Sequence, residues 1–368
     1  MAQAQQKTDT AYAQKESGLN LKQPVAGIVA TVIGILIALG FVSLFDFPTF
    51  AGWVSYFFLC VIPVQIVMAV TWATQHPQFA SRRSQPLKGL LLLLIALVLG
   101  GAVAAVCFAT VGGRVSPPTP MLAMYAITAV ATTFWAAIML GGWPSTAFLK
   151  NPLAAGLGVL LTGQIACYIL FRIFFNYSFL RGAPIYVASL DPQGLFNAWY
   201  ALVFAVTMAA AMFFVLLFDL WPLPKFPGVM RQPVLGLVWT VINLAISGIA
   251  FYIGVGLMGM DVVAFMVHVP VPFIFGAVIT LNMFQTSLFK NLTQPIKGVV
   301  NVIFAALIGT LLTQMYGLLA PMVTGTLRSG PPPYDFEIWL ASALLSITFP
   351  FLVFHAEFFK LWPLKKAD

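Results

Sequence analysis

The chain has 368 residues, of which 61% are hydrophobic and only 8% are charged, and its formal net charge is +8. An ordinary soluble domain has about 25% charged residues, so this composition excludes a protein with a water-covered surface. Nucleic-acid binding needs basic residues gathered on one folded face. Here they are spread over many short segments, so we expect no nucleic-acid partner.

The first 22 residues are polar and rich in Gln, Lys, Ala and Ser. They lack the basic start, short apolar stretch and small-residue cleavage site of a signal peptide. We therefore expect residues 1–22 to form a mobile cytoplasmic tail. A single transmembrane domain, residues 23–368, follows it.

Ten apolar segments are long enough to cross a bilayer, whose hydrocarbon core needs roughly 20 apolar residues per helix. Lipid permits only helices or closed barrels, and these runs are too long for barrel strands. The sequence therefore predicts an all-α integral membrane protein with ten transmembrane helices. In chain order, the segments are about 24–45, 50–73, 86–111, 119–142, 152–176, 194–218, 233–257, 262–284, 295–320 and 336–360.

A Gln-Pro-x-x-Gly motif opens four of these segments, at Gln23, Gln85, Gln232 and Gln294, and a looser Asn-Pro copy begins at Asn151. Each interval between copies is long enough for two helices and their loops. Periodic self-similarity of this kind is the signature of repeated units. We expect five tandem hairpin repeats, at about 23–73, 86–142, 152–218, 233–284 and 295–360.

Lys and Arg are distributed unequally between the two ends of these segments. Of the 18, only Arg114, Arg172, Arg181 and Arg328 lie on the side away from the termini. Loops rich in Lys and Arg stay in the cytoplasm. The pattern predicts a multi-pass bacterial inner-membrane protein with both termini cytoplasmic.

Prolines interrupt three of the helices that return toward the terminal side. Pro63, Pro272 and Pro350 lie at similar distances from the ends of their segments, so we expect them at similar depth. A proline inside a helix frees the carbonyl about one turn earlier, and transporters use such interrupted helices to place bare backbone beside a substrate. A kink satisfied by neighbouring helices is the alternative.

Three neutral polar residues also fall within the apolar segments: Gln164 and Asn243 near the midplane, and His268 just before the helix 8 prolines. We treat them, with the three prolines, as candidate substrate-binding residues. Bonding between helices is the alternative role for such amides. No carboxylate lies at the centre of a segment, which argues against an acidic proton relay.

Motifs for cofactors and metals are missing from the sequence. Three histidines cannot supply the paired axial ligands of a multi-haem cytochrome, and neither a phosphate-binding loop nor a Cys-x-x-Cys pair occurs. We expect no cofactor and no metal. His355 and Glu357 are the only, weak, candidates for metal ligands. The three cysteines are predicted to be buried thiols.

These observations favour a transporter or facilitator for a small, neutral or weakly polar organic solute. The alternative is a non-catalytic membrane subunit or anchor of a larger, redox-type complex, since the short loops leave little soluble surface for catalysis. An intramembrane enzyme that uses His355 and Glu357 is a third hypothesis. The sequence leaves open whether the chain forms a homo-oligomer or binds other membrane subunits.

Overall fold

The computed structural model describes residues 19–73, 75–331 and 333–365. Within them, ten helices are long and apolar enough to cross a membrane. The chain is thus a multi-pass membrane protein of the all-α class, as predicted. In order, the helices are α1 Val25–Val42, α2 Phe47–Val70, α3 Leu87–Thr110, α4 Pro120–Met139, α5 Pro152–Phe174, α6 Ala198–Leu217, α7 Val234–Leu257, α8 Val262–Met283, α9 Ile296–Val323 and α10 Asp335–Phe358.

Each helix coincides with one predicted segment. The largest difference is at the start of α6, which begins at residue 198 rather than 194. The residues before it belong to the long α5–α6 loop. Two short parallel strands, β1 Phe175–Asn176 and β2 Phe196–Asn197, pair at the two ends of that loop.

The even-numbered helices form the inside of the bundle. In an apolar 18-residue stretch of each, between 56% and 78% of the residues are buried, against 28% in the matching stretches of α3, α5, α7 and α9 and 50% in that of α1. Each inner helix contacts the next: α2 packs on α4, α4 on α6, α6 on α8, α8 on α10, and α10 on α2. The five inner helices therefore close into a ring.

The odd-numbered helices pack outside, each in the groove between two inner helices. Thus α3 lies on α2 and α10, α5 on α4 and α2, α7 on α6 and α4, and α9 on α8 and α6. Helix α1 takes the remaining groove, between α10 and α8. Its position closes the outer layer.

Several helices contain wide π-helical turns. Three inner helices end in one, at Trp135–Met139, Ile279–Met283 and Phe354–Phe358. A further π-helical stretch, Ser342–Thr348, occupies the middle of α10. Such turns are rare, occur mostly as single-turn insertions inside α-helices, and are frequently found at functional sites.

The two ends of the described chain meet on one side of the bundle, which we call the terminal face. There the N–H groups of Leu19 and Leu21 donate to the carbonyls of Pro363 and Leu364, each at 2.8 Å. The motif glutamines begin their helices on the same side. This pairing joins the first outer helix to the last inner one.

Candidate functional site

A small apolar cavity of about 80 Å³ lies on the axis of the inner ring. All five inner helices contribute to its wall, and among the described residues that line it only Ser342 and Ser346 of α10 carry side-chain hydroxyls. We call it the axial cavity. Each inner helix contributes lining residues, for example, in chain order, Ile62, Val130, Val206, Ile274 and Leu345.

A much larger cavity, about 850 Å³, lies to one side between α4, α5, α6 and α7. We call it the lateral groove. Among the residues around it, Ile169, Phe196, Tyr200 and Leu244 are between 46% and 53% exposed. In a bilayer, exposed apolar side chains on the outer layer face lipid, so this groove opens sideways toward the hydrocarbon core.

The two cavities share a wall. Ala131 and Phe134 of α4 and Ala209 of α6 line both of them. Two of these three side chains are single methyl groups. Only a thin partition between α4 and α6 therefore separates the lateral groove from the axial cavity.

The three predicted prolines surround the axial cavity. Pro63, Pro272 and Pro350 are buried, and the residue immediately before each one, Ile62, Val271 or Phe349, lines the cavity. The structure thus brings the three interrupted helices together at one level of the ring.

The prolines' own carbonyls, which are distinct from the carbonyls freed one turn earlier, contact neighbouring helices in two of the three cases. Gln65 of α2 donates from Nε2 to the Pro350 carbonyl at 2.9 Å, and the Pro272 carbonyl packs against Gly309 of α9. Gln65 is fully buried and its Oε1 takes no hydrogen bond among the described residues. Sequence reasoning missed Gln65, although it is an amide within an apolar segment, two residues after Pro63.

Asn243 lies in the wall of the lateral groove. Its Nδ2 donates to the Met208 carbonyl of α6 at 2.8 Å, and its Oδ1 has no hydrogen-bond partner in the described part of the chain. One turn earlier on α7, the Thr240 hydroxyl accepts a hydrogen bond at 2.9 Å from the Trp135 indole of α4. Both residues line the same groove. Asn243 is therefore the one predicted polar residue that the structure places at a cavity.

Gln164 and His268 lie outside the linings of both cavities. The Gln164 Oε1 accepts from the Tyr125 hydroxyl at 3.2 Å and from the Cys107 thiol at 3.9 Å, so this amide links α5 to α3 and α4. His268 is exposed and ends the first part of α8, where the helix breaks at Val269. The structure does not bring the three polar candidates together.

His355 and Glu357 have different partners. His355 Nε2 lies 3.1 Å from the Trp362 carbonyl, whereas Glu357 accepts from Asn282 and pairs with Lys360, each at 3.2 Å. Across the described ranges, no group of three or more His, Cys, Asp or Glu side chains could hold a metal ion. The three cysteines are free thiols, and all are buried.

On the terminal face, each motif glutamine ties its outer helix to an inner one. In all four copies the glutamine Oε1 accepts from the motif glycine N–H four residues on, at 3.0–3.2 Å. Three of the amides donate to the last carbonyl of a terminal π-helical turn: Gln23 to Met283, Gln85 to Phe358 and Gln232 to Met139.

The fourth motif glutamine, Gln294, donates instead to the Asp219 carboxylate at 2.8 Å, and Lys297 pairs with the same oxygen at 2.8 Å. Partial burial acts to raise the pKa of Asp219, but the bonds from Lys297 and Gln294 outweigh it, so the pKa lies below its usual value. This carboxylate stays ionised at neutral pH and joins α6 to α9.

A polar cluster lies on the opposite face of the bundle. The Tyr334 hydroxyl donates to Asp261 Oδ2 at 2.8 Å, and burial together with this bond raises the pKa of Tyr334 to about 12. Nearby, Glu337 accepts from the backbone N–H of Gly330 at 3.1 Å and from the Ser329 hydroxyl. These bonds order the segment that leads into α10.

Comparisons with protein-family models, with curated proteins and with solved structures find no match to this chain. The cavities and the residues around them are therefore the evidence for function.

Proposed function

We propose that this protein is a membrane transporter or facilitator for a small, neutral or weakly polar organic solute. The observation that carries the proposal is the wall shared by the lateral groove and the axial cavity, at Ala131, Phe134 and Ala209. A solute dissolved in the bilayer could enter the groove from the side and pass between α4 and α6 to the axis. The apolar linings suit a solute with few polar groups.

The proposal includes an arrangement in the membrane: five tandem hairpins in a bacterial inner membrane, with both termini cytoplasmic. The recurring glutamine bonds and the alternation of outer and inner helices support the repeat. The Lys and Arg residues concentrated on the terminal side support the orientation. Accessibility of single cysteines to a membrane-impermeant thiol reagent in intact cells tests that orientation.

Transport can be tested by blocking the passage through the shared wall. We expect proteoliposomes to show protein-dependent influx of at least one neutral diol of three to six carbons, followed by stopped-flow light scattering. Ala131→Phe places a ring in the partition and should reduce that influx at least about tenfold, a barrier increase of about 1.4 kcal/mol. Ala245→Phe is the matched control, because Ala245 is exposed on α7 and lies outside both linings.

Two results would contradict this function. One is the absence of protein-dependent influx for every diol in the series. The other is equal influx through the Ala131→Phe and Ala245→Phe variants when both are folded and reconstituted to the same density.

The second candidate is a non-catalytic membrane subunit or anchor of a larger complex. It is favoured by a stripe of small residues on α3, where Ala105 and Ala109 are exposed and Gly101 is half-buried. Small residues let helices approach closely in membranes, so another membrane helix could pack there. Stoichiometric partners after mild detergent extraction, lost in an Ala105→Leu variant, would favour this reading over transport.

A further inference from the structure

The lateral groove has the volume of a small-molecule site. Such sites typically have volumes of about 300–1,000 Å³. The groove, at about 850 Å³, falls within that range. An apolar molecule larger than a three- to six-carbon diol fits into this volume.

Asn243 gives the groove one unsatisfied hydrogen-bond acceptor. The side chain is only 1% exposed, and its Oδ1 has no partner in the part of the chain that the structure describes. The Nδ2 contact to the Met208 carbonyl fixes which way the amide points, because the reversed amide would set two acceptor oxygens against each other. A buried acceptor left without a donor costs about 1–3 kcal/mol, so a ligand that donates to it gains affinity.

The depth of Asn243 restricts which ligand can donate. Asn243 is nine residues after the start of α7 at Val234, which places it about 14 Å along the helix at 1.5 Å per residue. That is close to the middle of a hydrocarbon core about 30 Å thick. The acyl chains of phospholipids have no hydrogen-bond donor at this depth, so an ordinary lipid tail would leave Oδ1 unsatisfied.

The side chain that borders the amide can move. Met208 also lines the groove, and its sulfur lies 3.8 Å from Asn243 Nδ2. Methionine is unbranched and adapts its shape to what packs against it. A rotamer change of Met208 would therefore give a ligand room beside the amide.

We propose that the lateral groove binds an apolar, membrane-soluble molecule with a hydroxyl group, and that Asn243 Oδ1 accepts the hydroxyl hydrogen near the bilayer midplane. As a statement about which solute is transported, this inference rests on the proposed transport function. As a statement about what the groove binds, it is tested separately. An isoprenoid or fatty alcohol and a hydroquinone share this chemistry. Their oxidised or etherified forms lack the donor.

The test compares a ligand with its donor-free twin. Farnesol and farnesyl methyl ether are titrated into purified full-length protein in micelles, with Trp135 and the other tryptophans as fluorescent reporters. We expect farnesol to bind about tenfold more tightly than the ether, a difference of about 1.4 kcal/mol. The preference should fall to about one in Asn243→Leu and persist in Ser247→Ala. The Ser247 hydroxyl bonds to the Asn243 backbone carbonyl and lies outside the groove lining.

A second pair of probes separates the two sources of the hydroxyl. A short-chain benzohydroquinone and its dimethyl ether keep the same aromatic ring and differ in the hydroxyl donors, so an Asn243-dependent preference for the hydroquinone that exceeds the preference for farnesol assigns the groove to quinols. The reverse assigns it to aliphatic alcohols. Equal binding of both members of each pair to the wild-type protein overturns the proposal, whether or not the variants fold. The proposal is also overturned if phospholipid displaces each probe with an affinity equal to that of the probe.

The binding test and the flux test fail independently. Asn243-dependent binding without protein-dependent flux would refute transport and retain the site. Flux that Ala131→Phe blocks, together with donor-independent binding, would retain the route and refute the hydroxyl-bearing substrate.

Discussion

The contact between α8 and α9 makes a specific prediction about stability. An added Cβ at Gly309 would lie 2.7 Å from the carbonyl carbon of Pro272, and closer still to its oxygen. An added Cβ at Gly276 would lie 2.8 Å from the carbonyl carbon of Ala305. In both cases the obstacle is backbone within a helix, which cannot rotate away as a flexible side chain does.

The size of the effect follows from these distances. Ordinary van der Waals contact begins at 3.4 Å, so Gly309→Ala requires the two helices to separate by about 0.7 Å or more. A gap of 0.5–1 Å forfeits about a quarter to a half of each dispersion contact across the interface. Overpacking typically costs about 1–3 kcal/mol, and we expect Gly309→Ala to lower the free energy of unfolding by about 3 kcal/mol.

The close contact between α8 and α9 also determines how two substitutions combine. Once one methyl group has separated α8 from α9, the second meets a wider gap. Gly276→Ala with Gly309→Ala should therefore cost clearly less than the sum of the two single variants, as expected for residues that share one contact.

The assay is reversible unfolding of micelle-solubilised protein by SDS, followed by tryptophan fluorescence. Gly248→Ala on α7 is the control, because nothing lies within 4 Å of its added Cβ. In a helix, alanine is more favourable than glycine by about 0.8–1.0 kcal/mol, so this control should be neutral or stabilised. Equal stability of the Gly309→Ala and Gly248→Ala variants would refute the reasoning.

Three further predictions concern the terminal face. Gln85→Leu removes the bond to the Phe358 carbonyl and the bond from the Gly89 N–H in its own helix. At about 1 kcal/mol per bond, the free energy of SDS unfolding should fall by about 2 kcal/mol. An unchanged free energy would show that the motif glutamines do not stabilise the contact between outer and inner helices. Asp219, held ionised by Lys297, should lend stability above its unfolded pKa of 3.8 and lose it as the pH falls through its lower folded value. Because the Asp219 side chain is 51% exposed, the loss should be under about 1 kcal/mol, and Asp219→Asn should flatten the dependence of thermal stability between pH 6 and pH 3. Burial, Lys88 and Lys360 lower the pKa of His76, so stability should be complete above its unfolded value of 6.5 and should fall as the pH drops toward the folded value. His76→Gln should abolish that part of a melting-temperature profile between pH 7.5 and pH 5.5, and an identical profile would show that another group titrates.

The ten helices could be predicted because lipid imposes one requirement on every spanning segment, namely length and apolarity. The same requirement gives no information about how the helices are arranged in the bundle. Inner and outer helices both have apolar surfaces, so the mean hydropathy of buried α8, 2.3, is close to that of outer α7, 2.1. The ring depends on which helices pack together, and hydropathy contains no information about that.

The candidate site was partly predictable for a similar reason. The matched spacing of Pro63, Pro272 and Pro350 follows from helix geometry, and the structure brings the residues before them to the axial cavity. The roles of the two amides could not be predicted in this way. Gln164 and Asn243 look equivalent in the sequence, yet among the described residues the Gln164 oxygen has two donors and the Asn243 oxygen has none. That difference depends on neighbours contributed by other helices.

The irregular copy of the glutamine motif stands at the start of α5, a helix whose later turns, from Ala166 to Phe174, line the lateral groove. Helix α5 begins with Asn151, whose side chain accepts from the N–H groups of Leu153 and Ala154 in its own helix, whereas α7, the opposite wall, is tied to α4 through Gln232 and Met139. A wall without the cross-helix amide bond has one fewer restraint on that face. We therefore expect α5 to be the wall that moves when a ligand enters. Amide hydrogen exchange should be faster in the first two turns of α5 than in those of α7 and should slow when farnesol binds; equal exchange in the two helices would place the moving wall elsewhere.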